Sequence, residues 1–134
     1  MNKRILIIDD DVYLRELYEE IIKSAGYEVD TAMDGEEGIT KIKQGGYDLI
    51  FLDMMMPKVD GLGVLTKLSQ IQPPPKNGPV ILLTNLGHEP VLQEALQKGA
   101  VASLIKADIT PDQLLSEVKK YLDASSKYTN TDMV

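Results

Sequence analysis

Residues 49–61 read LIFLDMMMPKVDG, from Leu49 to Gly61. Four apolar residues, Leu49 to Leu52, run without a break into an acid, Asp53. A short, continuous apolar run that stops at a polar residue suits a strand buried on both faces. Such a strand needs cover above and below. A parallel sheet with helices on both sides supplies it.

The same design recurs outward from this stretch. Arg4–Asp9 reads RILIID and Pro79–Thr84 reads PVILLT. Leu104 and Ile105 form a shorter run that ends at Lys106, and Glu28–Ala32 (EVDTA) is a weaker, alternating one. Helical patterns lie between. Val12, Leu14, Leu17, Tyr18, Ile21 and Ile22 recur at helical spacing, and Gly26 stops them. Glu36–Lys43 makes a shorter helix closed by Gly45 and Gly46. Leu62, Leu65, Leu68 and Ile71 mark a third, and Val91, Leu92, Ala95 and Leu96 a fourth, ended by Gly99. Thr110-Pro111-Asp112-Gln113 combines an N-cap, a first-turn proline and a capping-box glutamine ahead of Leu114, Leu115, Val118 and Leu122. Strand and helix thus alternate five times. The predicted fold is α/β: a doubly wound, five-stranded parallel sheet of order 2-1-3-4-5, a flavodoxin-like (βα)5 arrangement.

Composition sets the outer bounds. The chain has 134 residues, room for one domain. We expect that domain over residues 1–124 and a polar tail, without periodicity, over 125–134. With no cysteine and one histidine, disulfide frameworks, thiolate sites and multi-histidine metal sites are excluded. Twenty-one acids against fourteen bases give a net charge of −7, which repels nucleic-acid backbones. No apolar run approaches the roughly 20 residues of a membrane span. Met1-Asn2-Lys3-Arg4 is not followed by the apolar stretch of a signal peptide. The expected location is the cytoplasm.

In a doubly wound sheet, ligands bind beyond the carboxyl ends of the strands. Strand one ends in Asp9 and Asp10, strand three in Asp53, strand four in Thr84 and strand five in Lys106. Each residue has a bland reading: Asp10 or Asp11 caps a helix, Asp53 opens a turn, Thr84 satisfies a loop amide, Lys106 is a solvated strand end. Those readings do not explain why the groups share one edge. Three clustered acids raise one another's pKa values and cost stability unless compensated. One lysine and one divalent cation would bring the charge to zero. An all-oxygen ligand set suits Mg2+. A metal, a lysine, a hydroxyl and a carboxylate nucleophile are the equipment of phosphoryl transfer. Asp53, at the end of the central strand, is the candidate nucleophile, and Asp9–Asp10 the candidate metal-binding pair.

These residues resemble a family. From about residue 3 to 122 the chain resembles the receiver domain of two-component response regulators. The resemblance rests on ILIIDDD (Ile5–Asp11), DLIFLDMMMPKVDG (Asp48–Gly61), VILLTN (Val80–Asn85) and LIK (Leu104–Lys106). It implies that Asp53 is the phospho-acceptor, Asp10 a direct Mg2+ ligand, and Asp9 a ligand through water. It implies further that the Met55 backbone carbonyl is a third protein ligand, Thr84 a switch hydroxyl and Lys106 the partner of the phosphoryl group. The implied phosphoryl source is a histidine kinase or phosphotransfer protein, and the implied output a downstream effector protein. No nucleic acid or membrane is contacted directly. A phosphorylation-linked homodimer through the fourth helix, fifth strand and fifth helix is a common family device. Enzymatic turnover is not expected beyond self-phosphorylation and self-dephosphorylation.

Three positions depart from the family pattern. Ser103 stands where an aromatic switch residue is usual, so the face around the fifth strand must change by backbone shift instead. Ala107 stands where proline usually follows the lysine through a cis bond, and we expect Lys106–Ala107 to be cis. Met55 and Asn85 flank the access route to Asp53. A thioether cannot orient water, so a long-lived phospho-form is expected. His88 is read as a loop or cap residue, Met54, Met55 and Met56 as packing and loop filler, and Tyr18 as core, with Tyr13 on a docking face. The alternative function is a phosphorylation-independent pseudo-receiver that acts as a binding module. A phosphatase is disfavoured because Met55 replaces the second acid such enzymes need. A flavin domain is disfavoured because Asp9–Asp11 would repel its phosphate.

Overall fold

Parallel strands need long crossovers, and in this chain every crossover contains a helix. The computed structural model describes residues 2–85 and 89–122. Its elements are β1 (Arg4–Ile8), α1 (Val12–Ser24), β2 (Glu28–Ala32), α2 (Gly35–Gln44), β3 (Leu49–Asp53), α3 (Gly61–Ser69), β4 (Val80–Thr84), α4 (Glu89–Gln97), β5 (Ala102–Ile105) and α5 (Pro111–Leu122). A 3-10 turn, Lys106–Asp108, links β5 to α5. The strands are all parallel, in the order β2-β1-β3-β4-β5.

The sheet divides the core in two. Leu6, Ile8, Ile50, Leu52 and Leu82 point to one face, against Ile42, Val64, Leu65 and Ala95 of α2, α3 and α4. Ile5, Ile7, Leu49, Phe51, Ile81 and Leu83 point to the other, against Tyr18, Ile22, Leu114 and Val118 of α1 and α5. Burial on both faces is why these strands read as unbroken apolar runs. Each such side chain contributes about 1.5–3 kcal/mol. β5 lies at the sheet edge, and its Ser103 and Ile105 are exposed.

Local signals fix the helix ends. Asp11, Asp34 and Asp60 cap α1, α2 and α3 by accepting from the backbone N–H groups of Leu14, Glu37 and Gly63. The expected capping box on α5 is complete. The Gln113 N–H donates to Thr110 Oγ1 at 3.1 Å, and the Thr110 N–H donates to Gln113 Oε1 at 3.2 Å. At the far ends, Gly99 ends α4 with φ +119°, a conformation that L side chains rarely adopt.

One expectation is corrected. Among the described residues only Gln72–Pro73 is cis, so Lys106–Ala107 is trans. The trans chain turns at once into the 3-10 segment, where the Ile109 N–H donates to the Lys106 carbonyl. The long lysine side chain reaches the strand ends from there without a cis bond. His88 and the expected tail at 125–134 lie outside the described residues.

Candidate functional site

Register explains why the polar strand ends meet. Ile8 pairs with Leu52, Asp53 with Leu83, and Thr84 with Ile105. The residues just past or at these pairs, Asp9, Asp53, Thr84 and Lys106, therefore emerge side by side at one edge. Asp9 is fully buried, Asp53 2% exposed and Thr84 4% exposed. Asp10 is exposed on the loop. One oxygen from each of Asp9, Asp10 and Asp53 falls within 4.8 Å of the others.

Lys106 enters between the two buried acids. Its Nζ lies 2.9 Å from Asp9 Oδ2 and 3.1 Å from Asp53 Oδ2. Apart from Lys106, no donor among the described residues reaches either buried Oδ2. The other oxygens are satisfied by the backbone. The Asp11 N–H donates to Asp9 Oδ1 at 2.9 Å, and the Met55 N–H donates to Asp53 Oδ1 at 3.1 Å.

One lysine cannot neutralise two buried carboxylates. Burial, then the negative charge of Asp9, pushes Asp53 up to about 7, against the Met55 N–H and Lys106, which pull it down. Burial also works against the charge on Lys106, but its contacts with Asp9 and Asp53 outweigh burial and raise its pKa. The lysine is therefore a cation at neutral pH. The unmatched charge falls on Asp53.

A hard cation fits this set. The donors are all oxygen, and two of the three acids carry a buried oxygen whose one partner among the described residues is the shared Lys106. Asp9, Asp10 and Asp53 would hold the ion, with the Met55 carbonyl as the expected backbone ligand.

The neighbours of the site divide cleanly. Tyr18 is buried in the core as expected, its pKa raised by burial and then by Asp9. Tyr13 is 72% exposed. Met54 and Met56 are buried and pack, whereas Met55, 63% exposed, lies in the loop after β3. Its backbone serves Asp53 while its side chain stands outside. A cavity of about 140 Å3 is lined by Met54, Met55, Asp60 and Thr84 and by the α4 residues Val91 and Leu92. One residue escaped the sequence reading: Arg15, whose Nη1 donates to the Asp9 carbonyl at 2.8 Å. Its place one helical turn after Asp11 was the available signal.

Comparison with known proteins gives a consistent result. The family profile described as "Response regulator receiver domain" matches residues 5–119. The chemotaxis protein CheY of Treponema pallidum is 38% identical over 106 residues, which are 77% of this chain and 72% of that protein. A CheY-like response regulator receiver domain protein from Methanospirillum hungatei superposes with a TM-score of 0.84 at 30% identity, covering 96% of this chain and 99% of the other. The response regulator TrrA from Thermotoga maritima, solved with Mg2+ and beryllium fluoride, gives a TM-score of 0.75 at 37% identity, covering 90% and 99%.

Proposed function

The chain belongs to the response regulator receiver domain family, and from that premise we propose that it is a phosphorylation-dependent signalling switch whose acceptor is Asp53. One observation carries the reading. Asp53 is buried at the end of the central strand, with Asp9, Asp10 and Lys106 converging on it.

The chemistry follows from the side chains. A deprotonated Asp53 oxygen attacks phosphorus, and an acyl phosphate P–O bond forms. The bond from phosphorus to the donor nitrogen breaks, and that nitrogen takes the electron pair. Such a nitrogen belongs to a phosphohistidine on a histidine kinase or phosphotransfer protein. Lys106 is placed to pair with the phosphoryl oxygens, and Thr84 to donate its hydroxyl to one of them. Bound Mg2+ would supply two positive charges against the acids and the incoming phosphoryl oxygens. TrrA, 37% identical, is solved in complex with that metal and beryllium fluoride. Attack by water on phosphorus later restores Asp53. No other turnover is proposed.

Output passes to a downstream effector protein. With Ser103 exposed on β5, the α4–β5–α5 face changes by backbone movement, and it is the proposed surface of a phosphorylation-linked homodimer. Among the described residues no helix is long and apolar enough to cross a membrane. We place the protein in the cytoplasm, where kinase and donor are found.

The test is intact mass after incubation with Mg2+ and acetyl phosphate, beside an Asp53→Ala control. One added phosphoryl group, absent from the control and from samples with EDTA, is expected. If neither acetyl phosphate nor a phosphorylated histidine phosphotransfer protein modifies the chain, it acts as a pseudo-receiver that binds its partner unmodified.

A further inference from the structure

We propose that Arg15 is a positioning residue for the divalent cation: its guanidinium holds the Asp9–Asp10 peptide, and with it the convergence of the two carboxylates. The inference rests on the reading of the acidic cluster as a cation site.

Arg15 sits in the first turns of α1, and its Nη1 donates to the Asp9 carbonyl at 2.8 Å. That carbonyl belongs to the peptide that joins Asp9 to Asp10. It lies just beyond the ladder, whose last β1 pair is Ile8 with Ala32. The Asp9 N–H still donates to the Ala32 carbonyl at 3.1 Å. On the carbonyl side the described strands offer no such partner, and the guanidinium takes the place of one.

The contact closes a ring. Asp9 Oδ1 accepts from the Asp11 N–H, and Asp11 Oδ1 accepts from the Leu14 N–H. The Arg15 N–H donates to the Asp11 carbonyl, and the Arg15 side chain returns to the Asp9 carbonyl. The β1–α1 turn is thus tied at both ends. Asp9 Oδ1 is occupied, which leaves Oδ2 to face Lys106 and the cation. Asp10 is exposed, and no hydrogen bond to its side chain is found among the described residues. Its carboxylate is aimed by its backbone alone, and that backbone is what Arg15 holds.

Charge and geometry predict opposite signs, and this makes the proposal testable. A positive side chain near a cation site repels the cation, so removal of Arg15 as a mere charge would tighten binding. Removal of a positioning group would weaken it. Arg15→Lys keeps the charge but loses the planar fork. Arg15→Met loses both and keeps the apolar stem.

The experiment is Mg2+ titration by calorimetry on the wild type, Arg15→Lys, Arg15→Met and an Asp10→Asn control. Thermal unfolding in EDTA runs in parallel. We expect a five- to twentyfold weaker Mg2+ affinity in both Arg15 variants, with folded, cooperative unfolding in EDTA. Affinity within twofold of wild type in both, or tighter binding by Arg15→Met, overturns the positioning role and leaves the cation site standing. If an Arg15 variant does not fold, Arg15→Gln takes its place under the same criterion. A wild type that binds no Mg2+, like the Asp10→Asn control, overturns the cation reading and this inference together.

Discussion

Asp53 carries a charge that the fold does not welcome. Its usual carboxyl pKa is 3.8, and in the folded protein it is pushed up to about 7 by burial and by Asp9. Between those values the folded protein holds a proton that the unfolded chain has lost. The contribution of Asp53 to the stability of the metal-free protein therefore falls as pH rises from about 4 to about 7. Asp53→Asn removes that loss. In EDTA at pH 8 the variant is expected to be more stable by about 2–3 kcal/mol, shrinking toward zero near pH 4. Denaturant unfolding at the two pH values checks this, and equal stability at pH 8 would refute it. Met55 supports a second prediction. Its exposed thioether cannot orient an attacking water, whereas an amide can. Met55→Asn is expected to hasten loss of the phosphoryl group about tenfold, the worth of one placed hydrogen bond. Decay followed by intact mass gives the rate, and an unchanged half-life counts against it. At this scale the site was largely legible. Asp9, Asp10, Asp53, Thr84 and Lys106 could be read because each ends or follows a strand. Arg15 could not, because its contact depends on side-chain reach across a turn. The trans bond at Lys106–Ala107 is not legible in the motif, because the lysine's own length covers the distance that a cis bond would otherwise span.

Elements were legible wherever a sequence signal had a direct physical counterpart. The apolar run of β3 became a strand buried along its whole length, and Thr110 with Gln113 became a closed capping box. β5 was the weakest reading, since an edge strand with Ser103 and Ile105 exposed shows no continuous apolar run. The 3-10 turn after it carried no signal that periodicity could detect. Close approach between loops was equally invisible. A Cβ on Gly78 would lie 1.9 Å from the Asp48 carbonyl oxygen, and the Gly78 N–H donates to the Tyr47 carbonyl at 2.7 Å. The obstacle is backbone, which cannot swing aside. Gly78→Ala is expected to cost at least about 2–4 kcal/mol. A denaturation midpoint equal to the parent's would show that the α3–β4 connection moves freely away from β3.

At the scale of the whole molecule, the sheet separates two jobs. The carboxyl ends of the strands carry the acids and the lysine, and the opposite pole carries the returns from α1, α2, α3 and α4. Arg4 of β1 and Leu122 of α5 also lie at that opposite pole, because the helices run back against the strands. Gly99, where a Cβ would meet nothing within 4 Å, sits there too. The sequence of the strands along the chain is therefore immaterial to the chemistry, provided that their neighbours in the sheet are kept. A circular permutant that opens after Gly99 and rejoins Leu122 to Lys3 through a flexible linker should assemble the same row of side chains. It should bind Mg2+ as the parent does, with calorimetry as the measure. What the protein needs from its polypeptide is adjacency, and the direction of travel from first residue to last is an accident of how that adjacency is encoded.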